Sequence, residues 1–249
     1  MVDSDSNKAA DEWQYHPAAD LDASMSEALR SFPRAPNMSA NILRTLAALL
    51  LRLWLRLYHR FQITGGEHLP TSGSHVLVCN HTSHLDTLCL LSAIPIGKIH
   101  RTFPAAAADY FFSSLPRSAV SAILINALPF DRKAKGAESL EVCSQLLANN
   151  GNILIIFPEG TRAASGEMGR FRSGVGRIVA GTNYEVVPCY LSGGMQAWPK
   201  GKVIPRPRKL HLRIGVAQSF THLDKTTESV KEICRTLQDS VKTLGRQTP

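Results

Sequence analysis

Apolar positions change their period along the chain, and the changes mark its elements. Through residues 38–60 they recur as on a helix: at 100° per residue Leu46, Leu50, Leu53, Trp54 and Leu57 share one face, and Arg52, Arg56, His59 and Arg60 the opposite one. Beyond Phe61, short apolar or β-branched runs take over at His75–Cys79, Leu128–Phe130, Ile153–Phe157, Val186–Tyr190 and His211–Ala217, each read as a strand. Helical spacing returns at Leu140, Cys143, Leu146 and Leu147, ahead of the stop signal Asn150-Gly151. It returns again at Val230, Ile233, Cys234, Leu237, Val241 and Leu244, a closing amphipathic helix. Alternating strands and helices predict an α/β fold with a mixed, partly parallel sheet flanked by helices, preceded by an N-terminal amphipathic membrane-interface helix. The expected divisions are a polar, weakly ordered extension over 1–37, an interfacial helix over 38–60 and a single domain over 61–249.

Arginines opposite a Leu/Trp face suit a helix lying in the lipid interface. The same pattern fits a helix packed on the domain with its arginines in water. A membrane span needs about 20 apolar residues. The uncharged runs Thr45–Leu51 and Ser118–Phe130 are too short to cross alone. The stretch Ala105–Phe112 and the run Ala119–Leu128 suit an acyl-chain groove, an interfacial patch or ordinary core helices.

Composition narrows the class. At 249 residues and 44% hydrophobic, the chain can bury one sizeable core. Cys79, Cys89, Cys143, Cys189 and Cys234 are odd in number and lack a C-x-x-C pair, which argues against a disulfide framework or a structural zinc and for reduced thiols. Seven acids against three bases leave residues 1–37 at −4, so the remainder of this +8 chain is strongly basic. A basic body is drawn to phosphate-bearing substrates, anionic lipid surfaces or nucleic acid. With 7% aromatic residues and no recognition motif, nucleic acid is excluded as the expected partner. The N-terminus lacks the basic region of a secretory signal, so the expected place is the cytoplasm, peripherally on the membrane.

The chemistry gathers where strands end. After His75–Cys79 comes Asn80-His81-Thr82-Ser83-His84-Leu85-Asp86, with His81 and Asp86 separated by four residues at a strand-to-helix junction and Ser83 placed as a helix N-cap. A carboxylate on one ring nitrogen fixes the imidazole tautomer and leaves the other nitrogen to take a proton from an alcohol. Alone the spacing is weak, since a shuffled chain of this composition would contain it roughly 0.36 times. Its companions carry the argument. The strand Ile153–Phe157 runs into Pro158-Glu159-Gly160-Thr161-Arg162, where Gly160 permits close backbone approach and Arg162 offers a planar fork for phosphate. Leu128–Phe130 ends in Asp131-Arg132, and Arg170 and Arg172 precede a further helix. Glu159 suits either a substrate contact or an ion pair with Arg162 or Arg132. His84 is read as exposed or structural, and Cys79 and Cys89 as small buried thiols rather than nucleophiles.

From about Phe61 to Phe220 the chain resembles the glycerolipid acyltransferases, which share an Asn-His-x-Ser-x-x-Asp block and a Phe-Pro-Glu-Gly-Thr-Arg block; Gly66-Glu67-x-Leu69-Pro70, Pro129-Phe130-Asp131-Arg132 and Val187-Pro188 fall in the same order. The resemblance implies His81 as general base oriented by Asp86. It also implies that Arg132, Glu159, Gly160, Thr161, Arg162 and Arg172 bind the acceptor's glycerol phosphate. Acyl-CoA or acyl-carrier protein would be the thioester donor and a lysophospholipid, chiefly 1-acyl-glycerol 3-phosphate, the acceptor, with no cofactor and no metal. Glycerol 3-phosphate or another lyso-lipid as acceptor stays open, as does a catalytically silent lipid-binding homologue. Two positions depart from the pattern: Asn126 stands where the second block usually begins with glycine, and Arg170 or Arg172 where relatives often carry lysine.

Overall fold

The computed structural model describes residues 38–107, 123–130, 136–163, 167–199, 201–202 and 204–247. The extension over 1–37, Arg132, residues 108–112 of the stretch Ala105–Phe112 and residues 119–122 of the Ala119–Leu128 run lie outside them. The described elements begin with helix α1 (Met38–Tyr58), strands β1 (Gln62–Thr64) and β2 (His75–Cys79), helix α2 (Leu85–Ala93) and strands β3 (Thr102–Ala107) and β4 (Leu128–Phe130). They continue with α3 (Gly136–Ala148), β5 (Ile153–Ile156), α4 (Gly174–Val179), β6 (Glu185–Ser192), α5 (Gly194–Ala197), β7 (His211–Ile214) and α6 (Thr227–Arg246).

Seven strands pair in the order β1-β7-β6-β2-β5-β3-β4. The ladders from β6 to β4 are parallel, β7 is antiparallel to β6, and β1 is parallel to β7. This is the mixed, partly parallel sheet expected. The central strands read as continuous apolar runs because both faces are covered, and every residue of β2 is buried. Leu77, Cys79, Ile153 and Ile155 face the layer holding α1 and α2, while Val76, Val78 and Leu154 face the layer of α3, α4 and α6. The closing helix buries Val230, Ile233, Cys234, Leu237 and Val241, five of its six predicted apolar positions, and is capped where Thr226 Oγ1 accepts from Ser229 N.

Some boundaries move. β5 stops at Ile156, because Phe157 already turns toward the site. β7 stops at Ile214: Gly215 N still donates to Pro188 O in register, but the next pairing, Val186 with Gln218, is one residue out of that register. β1 and β3 were not expected: β1 is three exposed residues, and β3 reads Thr-Phe-Pro-Ala-Ala-Ala, poor in β-formers. The stretch Ala105–Phe112 is therefore strand as far as Ala107 rather than core helix. Asn126, the departure from glycine, sits at φ 56 and donates from Nδ2 to His100 O and Thr102 O. Asn tolerates this left-handed backbone and ties it down, so it replaces glycine without cost to the turn.

Helix α1 is apolar on both sides: Ala48 and Leu55 are buried, and Leu51 and Trp54 pack on the core, yet a second set of leucines faces out. Leu46, Leu49, Leu50, Leu53 and Leu57 point outward, with Leu50 68% exposed. Arg44 is 7% exposed and donates from Nε to Ile123 O, and Arg52 Nη2 donates to Ile94 O. Arg52 and His59 therefore face the domain, and of the arginine face only Arg56 and Arg60 are exposed. Helical periodicity defines two faces but not which one turns inward. α1 is also long and apolar enough to cross a membrane by length and composition, which a count of uncharged runs missed because its arginines interrupt them. We expect Arg52→Ala to lower stability by about 1–3 kcal/mol, since Ile94 O loses a charged donor. Leu50→Ala should stay within about 0.5 kcal/mol. Thermal unfolding in detergent-free buffer checks both; the reverse ranking would contradict this orientation.

Candidate active site

β2 delivers His81 to the end of the sheet. Beyond Cys79 the Asn80 side chain takes over from the ladder, donating from Nδ2 to Leu191 O at 3.0 Å while its Oδ1 accepts from Leu191 N at 2.8 Å. The chain then turns, and Asp86 arrives in the first turn of α2, where a negative charge suits the helix dipole. Asp86 Oδ2 accepts three hydrogen bonds: from His81 Nδ1 at 2.9 Å, Thr82 N at 2.6 Å and Ser83 N at 2.8 Å. Asp86 is fully buried while the His81 side chain keeps 20% exposure. With Nδ1 donating to the carboxylate, Nε2 is the ring's free proton acceptor. Ser83 does not cap α2 in the expected way: the residue before the helix is His84, and Ser83 Oγ accepts from Leu85 N and donates to Trp198 O.

The Phe-Pro-Glu-Gly-Thr-Arg block forms the adjoining wall. Phe157 stacks on His81 with ring centres 4.1 Å apart and planes at 18°, which sets the imidazole plane. Buried Glu159 accepts from His81 N at 2.7 Å through Oε1 and from Gly169 N at 2.8 Å through Oε2. It therefore clamps two loops. Among the described residues its carboxylate faces these backbone amides and makes no ion pair with Arg162, while Arg132 lies outside them. Burial raises its pKa, opposed by those amides and by His81. Ala163 N, just beyond Arg162, donates to His81 O at 2.8 Å. Gly160 adopts φ +71, and a Cβ there would lie 2.9 Å from Arg172 Nε, so Gly160 and Arg172 are neighbours.

His81, Asp86, Glu159, Gly160, Arg162 and Arg172 thus gather at one strand-end crevice. Thr161 is exposed beside them. The Arg162 guanidinium lies near enough to His84 to help lower that imidazole's pKa to about 4, after burial as the larger cause. His84 is half-buried and meets Trp198 edge-on, a structural placement. Cys79 and Cys89 are buried, and burial pushes their thiols well up, which leaves them inert.

Three contributors escaped the sequence reading. Asn80 was visible only as a motif letter, and Phe157 as the end of a strand. Gly194 gave no signal at all, yet a Cβ on it would meet Asp86 Oδ1 at 2.7 Å and Thr82 Oγ1 at 2.9 Å. Both atoms are buried without a hydrogen-bond partner among the described residues.

Fold and site together define an α/β protein with a His–Asp dyad at the ends of parallel strands. More particularly, the chain belongs to the acyltransferase family, whose model, described as "Acyltransferase", matches residues 60–192. It is similar to a 1-acyl-sn-glycerol-3-phosphate acyltransferase of Cocos nucifera, 29% identical over 163 residues covering 65% of this chain and 50% of that one. One of the same name from Limnanthes alba is 28% identical over 192 residues, covering 74% and 66%. The chain spans about half the length of the first of these relatives. The fold is that of the crystal structure of the 1-acyl-sn-glycerophosphate (LPA) acyltransferase PlsC from Thermotoga maritima, with a TM-score of 0.65 at 20% identity over 84% of this chain and 81% of that one.

Gly194→Ala should push Asp86 off its three donors and lower turnover by about 10²-fold, as a displacement near 1 Å does. Steady-state rates on protein shown folded by circular dichroism check this, and an unchanged rate would contradict the contact.

Proposed function

We propose that the chain transfers a fatty acyl group from acyl-CoA or acyl-carrier protein to the hydroxyl of a lysophospholipid, 1-acyl-glycerol 3-phosphate before others. One observation carries the reading: His81 is held by the buried Asp86 with its second nitrogen left as a base. His81 Nε2 takes the proton of the acceptor hydroxyl as its oxygen attacks the thioester carbonyl carbon. The C–S bond of the tetrahedral adduct breaks, and the leaving thiolate receives the proton back from the imidazolium. No acyl-enzyme forms, and the five cysteines, all buried, offer no competing nucleophile. Asp86 stabilises the imidazolium of the intermediate step. The names of the relatives support this acceptor.

Arg162, with Arg172 beside Gly160 and with Arg132, would hold the acceptor's phosphate, while Glu159 positions the base loop through its two backbone contacts. The outward leucine face of α1 supports a membrane-surface location. α1 packs along the domain against α2, with Arg44 and Arg52 anchored on domain carbonyls, so it would lie in the interface plane instead of crossing. The cytoplasmic face is the side this reading assigns.

His81→Ala should fold normally and lower turnover by about 10²–10⁴-fold, the usual contribution of a positioned base. Near wild-type turnover in a folded variant would end the mechanism. Arg162→Lys should raise the acceptor's KM and lower kcat while the donor's KM stays unchanged, because an ammonium cannot reproduce the bidentate fork. Kinetics varying each substrate separately decide this, and a rise confined to the donor would reverse the assignment.

A further inference from the structure

Residues 199–210 connect α5 to β7 and read Pro-Lys-Gly-Lys-Val-Ile-Pro-Arg-Pro-Arg-Lys-Leu, five cations and three prolines without an acid. Lys202, Arg206, Arg208 and Lys209 are all exposed, and Ile204 among them is 76% exposed. A single exposed isoleucine is ordinary on a protein surface, but set among four exposed cations it pairs an apolar side chain with positive charge, the combination that suits an anionic lipid surface.

The segment's backbone is fastened at both sides. Tyr58 Oη, in the last turn of α1, donates to Pro205 O at 3.0 Å, Leu210 N donates to His59 O at 3.2 Å, and the His59 ring contacts Arg208 O at 3.2 Å. On the other side Arg206 N donates to Ala197 O, Trp198 Nε1 donates to Lys202 O, and Trp198 O accepts from Ser83 Oγ within the base loop. The segment thus bridges the end of the outward leucine face and the block carrying His81, with Lys202, Arg206, Arg208 and Lys209 directed to solvent. It sits at the sheet's active-site end, since it follows β6 and precedes the antiparallel β7.

We propose that Lys202, Ile204, Arg206, Arg208 and Lys209 form a docking surface for the phosphate headgroups of anionic phospholipids. Lys202, Arg206, Arg208 and Lys209 contact the phosphates and Ile204 enters the interface, so that the active-site end of the sheet is set against the bilayer. This rests on the reading of α1 as the membrane-facing helix and extends it: α1 supplies apolar insertion, whereas this segment supplies charge selectivity and orientation. Charge complementarity and continuity with the leucine face through Tyr58 favour lipid over the donor's phosphates.

The test uses the full chain with vesicles of phosphatidylcholine alone or mixed with phosphatidylglycerol, read by flotation. The combined variant Lys202→Gln, Arg206→Gln, Arg208→Gln and Lys209→Gln, which alters only exposed side chains, should lose about tenfold or more of its binding to the anionic vesicles. It should also lose the salt dependence of that binding. Binding to phosphatidylcholine and the KM for acyl-CoA in detergent micelles should stay as in the wild type. Ile204→Ser should weaken binding to the anionic vesicles without removing its salt dependence. Undiminished anionic binding by the fourfold variant would overturn the proposal. A raised acyl-CoA KM with unchanged vesicle binding would overturn it too, giving the segment to the donor. Leu50→Glu with Leu53→Glu separates the two readings: if that variant still binds phosphatidylcholine like the wild type, the α1 reading fails, whatever the fourfold variant does.

Discussion

Three N–H groups, from the His81 ring and the backbone of Thr82 and Ser83, converge on a single oxygen of Asp86 at the mouth of a buried strand. Losing one donor to such a buried carboxylate costs about 1.5–3 kcal/mol, with two donors still in place, so the turn that follows β2 has little freedom to relax. The rest of the site follows from this constraint. It fixes the imidazole's orientation, which Phe157 then fixes from its face. It also turns the His81 backbone amide toward Glu159, whose second oxygen reaches the loop at Gly169. Gly194 is required because Asp86 Oδ1 leaves no room for a β-carbon.

The same body explains why the predicted leucine face of α1 points outward. Two carbonyls at the edge of the domain, Ile94 O and Ile123 O, accept from Arg52 and Arg44, and a leucine facing inward at those positions would strand them. The leucine face is consequently turned to the outside, where water disfavours it and lipid does not. The end of α1 adjoins both the start of β1 and the approach to β7, so a surface that holds α1 also lies beside the end of the sheet where His81 stands.

Much of this architecture was legible because its strands are short continuous apolar runs: the central β2 and the edge strand β4 coincide with the predicted spans, and the closing helix with its predicted face. β1 was not, since three exposed residues borrow their conformation from β7 and carry no pattern of their own. β3 was hidden by its proline and alanines. Of the site, the His81–Asp86 pairing was readable from spacing at a strand end, because a short turn admits few arrangements. The use of Glu159 was not: a carboxylate beside arginines suits a substrate contact or an ion pair, and only the fold reveals the backbone amides it accepts from. The direction of α1 was unreadable for a different reason. An amphipathic pattern marks an apolar face, but whether core or lipid receives that face depends on what the opposite one bonds to.

The central claim is direct transfer of the acyl group by a dyad that never carries it. It is tested most directly by incubating the full chain with labelled palmitoyl-CoA, with and without 1-acyl-glycerol 3-phosphate, and following the label in lipid and protein. The account predicts labelled diacylglycerol phosphate only when the acceptor is present and no label on the protein in its absence. Label held covalently by the protein when the acceptor is omitted would contradict it.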